Sequence, residues 1–386
     1  MRRHLAVTSG TVLSVALVVS GCGSSTSTTS SPSASAAAQR DHGPGGGGPG
    51  GGSPQQITAV DLNTGGTSPG GANTAAVVKA VDAFLATLDT AQREKADYEF
   101  SDNKDRQTWS NFPATTVPRP GIALSDLTTD QRKAAEAVLQ AALDPAAVQQ
   151  NTAIRTADDY LSSLGGQGAD GFGSLKDYFI AVYGQPSATQ PFMVQFGGHH
   201  LARNLTYNGD KVSQTPQFVG SEPAAFESGG TTVEPVKAES SAMFGMIAAL
   251  EDEQKAAAEI TSGTFDDLLM GPGKDSGVFP AAEGLPVSKL NADQKKLVMT
   301  AIQAYAGDLD DDAGEKLMTT YESQLNQTRI GWANNTGPAD ENSYIRIDGP
   351  SVWIEFINTR SMSTPNIHFH SVYRDKTNDY GSSKPS

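Results

Sequence analysis

A single cysteine in 386 residues, Cys22, limits how the rest of this chain can hold itself together. Everything beyond it is free of thiols, so a domain there must be held by its core and hydrogen bonds, without disulfides. Thiolate zinc sites, iron–sulfur clusters, blue copper and cysteine nucleophiles are excluded with them. Any metal held beyond Cys22 must be bound by nitrogen and oxygen.

The residues before Cys22 read as an export signal. Arg2 and Arg3 are followed by an apolar stretch, Val12 to Val19, too short for a membrane span of about 20 residues. Val19-Ser20-Gly21-Cys22 resembles a bacterial lipobox, which implies a lipid on the Cys22 thiol and cleavage just before it. The expected product is extracytoplasmic and lipid-anchored to the cell membrane. Loss of Arg2 and Arg3 makes the formal charge of −15 more negative still. An acidic surface without a basic run argues against nucleic acid and against anionic lipid as partners. The membrane is then met through the lipid anchor only.

Composition divides the chain into 1–21, the signal; 22–74, the lipidated cysteine and a disordered tether; and 75–386, one globular domain. The tether is Gly, Ser, Thr, Pro and Ala, with the run GPGGGGPGGGS, and cannot build a core. Its reach is on the order of 40 Å. In the domain, Gly121–Lys133 (GIALSDLTTDQRK) echoes Gly284–Lys296 (GLPVSKLNADQKK), with a looser third copy at Ala249–Lys255. Thr128 and Asn291 each stand three residues before a glutamine, the spacing of a capping box that opens a helix. The echo is read as a strand or turn followed by a capped helix, by duplication or by convergent helix-start chemistry. Strand patterns lie at Phe192–Phe196 and Leu205–Tyr207, and again at Tyr344–Ile347, Val352–Ile357 and Ile367–Tyr373. Helical segments plus antiparallel strands from the middle and C-terminal regions give an α+β fold.

The chemistry centres on histidine. Of six histidines, His4 belongs to the signal and His42 to the tether; the rest form two pairs, His199-His200 and His368-Phe369-His370. On a strand, side chains repeat every two residues, so His368 and His370 share a face and can chelate a divalent metal. His199 and His200 are adjacent, so one could join them on a regular strand, or both across a bend at Gly197-Gly198. Nitrogen ligands suit Zn, Cu or Ni. Glu355, the acid in VWIEFIN, is the candidate catalytic base or extra ligand. Asp375 or Asn366 would supply second-layer acceptors for the imidazoles. Arg203, Arg346 and Arg374 are candidates for binding an anionic group of a soluble ligand, against the plainer reading of ion pairs with Glu355, Asp375 or Asp348. A hydrogen-bonded histidine network without metal is the alternative for the whole cluster.

FGGHHLARN, YIRIDGPSVWIEF and NIHFHSVYRDKTNDYG, with Arg106-Gln107-Thr108-Trp109 and YGQPSATQPF upstream, resemble the family called domain of unknown function 3500. The resemblance implies a domain unit over most of the chain after the tether and implies no particular activity. Two other patterns carry little. Gly166–Gly171 fits G-x-G-x-x-G without a strand before it, and Asp308–Asp312 has the alternating acids of a calcium loop with Ala313 in place of its glycine. The functional readings that remain are a metal-dependent hydrolase, a metal- or solute-binding surface lipoprotein, and an interaction module with a structural histidine network.

Overall fold

The two echoing stretches fold alike and mark two similar halves of the chain. The computed structural model describes residues 70–381 except 167, 168, 310, 311 and 362; the signal, Cys22 and nearly all of the tether lie outside these. In each stretch a glycine of positive φ, Gly121 or Gly284, enters a two-residue strand and then a single 3-10 turn. Thr128 and Asn291 then cap α2 (Thr129–Ala142) and α5 (Ala292–Ala306), each accepting from the backbone N–H of a glutamine whose side chain accepts from the cap residue's own N–H. Both capping boxes are complete, as the spacing predicts.

The remaining helices extend the parallel between the halves. α1 (Thr74–Ala86) packs on α2, and α4 (Lys237–Ala248) packs on α5. Ala249–Lys255, the looser third copy, also opens a capped helix, with the Glu251 N–H donating to Gln254 Oε1. It matches the corner at Thr87–Gln92, where Asp89 and Gln92 form the capping box. Gln131 Nε2 donates to the Thr87 carbonyl and Gln294 Nε2 to that of Ala249. Gln92 and Gln254, of two short helices, bond the same two glutamines. α3 (Pro145–Ser163) and α6 (Asp312–Gln324) complete the main helices.

Each half ends in a four-stranded meander. The first comprises β1 (Tyr178–Tyr183), β2 (Phe192–Gly198), β3 (Leu201–Asn208) and β4 (Gln217–Ser221). The second comprises β5 (Arg329–Asn334), β6 (Ser343–Asp348), β7 (Val352–Arg360) and β8 (Ile367–Asp375). These long strands form one antiparallel sheet in the order β1-β2-β3-β4-β8-β7-β6-β5, so the halves meet where β4 pairs with β8. The protein is α+β, and its sheet carries a near mirror of strand order about that seam.

Both faces of the sheet are covered. Val194, Leu205, Ile345, Ile354 and Tyr373 face the helices and join a core with Val77, Val138, Ile247 and Ile302. The opposite face carries Phe218, Trp353 and Val372 under Trp109 and Met270, with Tyr344 and Ile357 under Phe265. That cover comes from irregular chain, residues 99–121 and 259–284, anchored to buried polar side chains of the sheet. Residues 70–74, given to the tether by composition, contact the fold: Gly71 and Ala72 donate to the Asp210 carbonyl, and Thr74 begins α1. Among the described residues no helix is long and apolar enough to cross a membrane.

Glu239 of α4 shows how a buried acid constrains this fold. It is buried, Gln150 donates to its Oε1, and Oε2 has no hydrogen-bond partner among the described residues. Burial pushes its carboxyl up to about 7. The folded state then holds a proton that the unfolded chain has released, and stability falls as pH rises from about 4.5 through 7. Glu239→Gln removes this dependence. Chemical denaturation should find the variant more stable than wild type by about 2–3 kcal/mol at pH 8 and equal to it near pH 4. Equal stability at pH 8 would contradict the assignment.

Candidate metal centre

The histidine pairs meet at the seam between the halves. His199 and His200 form the tight turn between β2 and β3, whose last pair is Gly198 with Leu201. The pair therefore diverges at the turn itself rather than at a bend in Gly197-Gly198, which lie within β2. His200 has φ 56°, a left-handed conformation unusual for a residue with a Cβ. Strain of this kind persists only where surrounding structure enforces it. His368 and His370 point to one face of β8, and opposite His370 on β4 stands Gly220. A Cβ on Gly220 would lie 2.5 Å from the Phe369 carbonyl oxygen and 3.1 Å from both Cδ2 of His200 and Cε1 of Phe218, so the close pairing of the two strands beside that ring requires glycine.

Three imidazole nitrogens converge there. His370 Nε2 is 3.1 Å from His200 Nε2 and 3.1 Å from His368 Nε2. The Nδ1 of His370 lies 2.9 Å from Asp267 Oδ1, and the Thr359 hydroxyl lies 3.1 Å from Nδ1 and 3.2 Å from Nε2 of His368. Asn111 Nδ2 also reaches His370 Nε2, at 3.4 Å. All four domain histidines are buried, only 3–4 % exposed.

Counting protons shows what this arrangement can do. A carboxylate at Nδ1 fixes the His370 proton there and leaves a lone pair on Nε2. Two further Nε2 atoms and an amide aim at that lone pair, which one N–H can occupy. A second N–H, on His368, would turn to the Thr359 hydroxyl 3.2 Å from its Nε2. A cation takes three lone pairs at once and leaves each ring its proton on Nδ1, where Asp267 and Thr359 can accept it from two of them. An ion at about 2.05 Å from each ligand holds nitrogens roughly 2.9 to 3.3 Å apart, from octahedral to tetrahedral angles. The two separations from His370 Nε2, 3.1 Å each, fall within that interval.

His199 faces a different set of groups. Its Nδ1 is 2.6 Å from Asp158 Oδ1, and Asp158 Oδ2 accepts from the Tyr178 hydroxyl at 2.7 Å. Its Nε2 is 4.0 Å from Glu222 Oε2. Asp177, beside this group, accepts from the Ala114 N–H through Oδ1, while Oδ2 has no hydrogen-bond partner among the described residues. Among the described residues, three groups have the ligand types and spacing for a metal ion: His200, His368 and His370; His199, His200 and Glu222; and Asp158, Asp177 and His199.

The electrostatics separate these sets. Burial, then the neighbouring imidazoles, holds His200 well below its usual value, and burial with His370 lowers His368 to about 3. Both rings are neutral at neutral pH, the state a metal ligand needs. Burial opposes charge on His199, yet Asp158, Asp177 and Glu222 together raise its pKa. Burial pushes Asp177 up to about 7 against the pull of His199. Burial opposes charge on Asp267, but His370, the Leu268 N–H and His368 together lower its carboxyl.

The other residues singled out in the sequence serve the scaffold. Glu355 is fully buried and accepts from four donors, the backbone N–H of Leu269 and Met270, the Trp353 indole and the Tyr344 hydroxyl. None of these is a histidine, so the reading of Glu355 as base or ligand is replaced by that of an anchor for the segment carrying Asp267. Asp375 accepts from Tyr321 and Thr377, and Asp267, Asp158 and Thr359 take the second-layer places given to it. Asn366 is exposed, and its carbonyl accepts from Ser361.

The arginines are likewise engaged or enclosed. Arg203 pairs with Asp308 and bonds Gln150 and Asn151. Arg374 pairs with Asp275 and Asp379. Arg346 lies over the Trp353 ring, 3.7 Å from Glu283. They form ion pairs, as the plainer reading held, with acids other than those it named. Asp308 is thereby committed to Arg203, while residues 310 and 311 of the acidic run and 167 and 168 of the glycine run lie outside the described residues. Asp267, Asp158, Glu222, Thr359 and Asn111 are not marked by the sequence, since none has motif spacing to the histidines.

A family model described as protein of unknown function (DUF3500) matches residues 70–382, and the chain belongs to that family. No curated protein matches the chain. No solved structure matches it either.

Proposed function

We propose that this member of the family is an extracytoplasmic lipoprotein, anchored through Cys22, whose domain binds a divalent cation on His200, His368 and His370. One observation carries the reading: three buried imidazoles bring their Nε2 atoms together at 3.1 Å steps, while Asp267 stands at the outer nitrogen of His370 and the Thr359 hydroxyl lies beside both nitrogens of His368. Zinc, copper and nickel are the ions that such nitrogen ligands favour. Ion binding is favoured over hydrolysis of an organic substrate by burial, since the rings are 3–4 % exposed. A cleft of about 600 Å³ is lined elsewhere, by Asp144, Gln150, Glu234, Lys237, Glu239 and Asp308 among others. Anchoring rests on the positive start, short apolar stretch and lipobox-like residues before Cys22.

Two measurements test the two parts. Untagged protein dialysed against zinc, copper or nickel should retain at least one ion per chain by elemental analysis, and retention of none would overturn the binding reading. Cys22→Ala should move the protein from the membrane fraction to the soluble one, and unchanged membrane association would overturn the anchor.

A further inference from the structure

We propose that Asn111 supplies a fourth ligand to the three-histidine ion through Oδ1, which closes the coordination shell and leaves no position for water or substrate. This rests on the three-histidine reading and extends it to what the centre does, which is to hold an ion rather than to use it. Asn111 is buried, and its amide Nδ2 lies 3.4 Å from His370 Nε2, longer than a good hydrogen bond. A nitrogen at about 2.05 Å and an oxygen at about 2.0–2.2 Å from one ion stand roughly 3.3 to 3.5 Å apart at a tetrahedral angle. The spacing is that of neighbouring ligands on one ion.

A cation selects the oxygen end of this amide, because it repels an N–H and attracts a carbonyl oxygen. The two ends have nearly the same shape, so a half-turn about the Cβ–Cγ bond puts Oδ1 where Nδ2 stands. Asn111 makes no other side-chain hydrogen bond among the described residues, so the turn breaks no further contact. The backbone on both sides is fixed. Arg119 Nη2 donates to the Ser110 carbonyl at 2.8 Å and to the Phe112 carbonyl, on either side of Asn111. The same nitrogen reaches the Gly198 carbonyl at 3.3 Å, which ties this loop to the end of β2, where the His199-His200 turn begins. The Trp109 indole donates to the Tyr380 hydroxyl at 2.9 Å, and its ring packs on Phe218, which packs on His370. Asn111 stands between these anchors and directs its amide at the ring that is the hub of the centre.

Cobalt, a spectroscopic stand-in for zinc, tests the proposal in the full untagged chain. Cobalt-loaded wild type should show the intense visible bands of tetrahedral geometry. Azide and pH should leave them unmoved, because no metal-bound water is there to be displaced or ionised. Asn111→Ala should bind cobalt at least about 10-fold more weakly, the low end for losing even a second-layer partner, and its bands should shift with azide and pH. Asn111→Asp, which keeps an oxygen, should behave as wild type does. An azide response in wild type, or none in Asn111→Ala, would overturn the fourth ligand and leave the three-histidine site standing. Shifting bands in Asn111→Asp would give the amide a donor's part, which also overturns it. No cobalt bound by wild type would overturn the three-histidine reading, and the fourth ligand with it. Should the variants fail to fold by circular dichroism, zinc-soaked crystals of wild type decide. An Asn111 oxygen within about 2.2 Å of the ion supports the ligand, and a water in its place overturns it.

Discussion

His370→Ala is expected to weaken zinc binding more than about 100-fold, beyond the 10- to 100-fold typical of losing a second-layer partner. His370 is the hub of the site: both other Nε2 atoms stand 3.1 Å from its own, and its Nδ1 meets Asp267. Asp267→Asn provides the comparison. It keeps the shape of the side chain and removes the carboxylate that orients the ring, so its loss should fall about 10- to 100-fold. Isothermal titration of the two variants against wild type measures the order. Equal affinity in wild type and His370→Ala would contradict the placement of the site.

Glu355→Ala is expected to cost about 3–5 kcal/mol of stability, because four buried donors lose one charged acceptor together. Burial raises the Glu355 carboxyl, and Trp353, Leu269, Tyr344 and Met270 oppose that rise by donating to the ionised form. Glu355→Gln should recover part of the loss, since its oxygen still accepts while its amide opposes two of the donors. The effect should reach the metal site through the chain, for Asp267 lies two residues before Leu269. Denaturation measures the cost, and hydrogen exchange at the Leu269 and Met270 amides should accelerate with it. A loss under about 1 kcal/mol would show that the segment is held by other contacts.

Those two residues also show what the sequence could reveal. The H-x-H pair was legible because strand periodicity alone puts His368 and His370 on one face, and β8 does so. The capped helices were legible because a capping box is a local pattern. Glu355 was legible as an exceptional acid in an apolar strand, but its role depended on chain folded over from residues 269 and 270, which no local spacing encodes. Asp267 was hidden for the same reason. The strands Tyr178–Tyr183, Gln217–Ser221 and Arg329–Asn334 are not marked by the sequence: YFIAVY is a continuous apolar run that fits a buried helix or strand alike, while QFVGS and RIGWAN are short and each contains a glycine packed too closely for a Cβ. The likeness of the two halves is legible in sequence only where the helix starts coincide. Their meanders share strand order rather than residues, so they became visible only in the sheet.

The most direct test is anomalous diffraction from crystals of the untagged protein soaked with zinc and recorded on both sides of the zinc edge. A peak is expected about 2.1 Å from the Nε2 atoms of His200, His368 and His370. Full zinc loading with no peak among those three nitrogens would contradict the assignment of the centre.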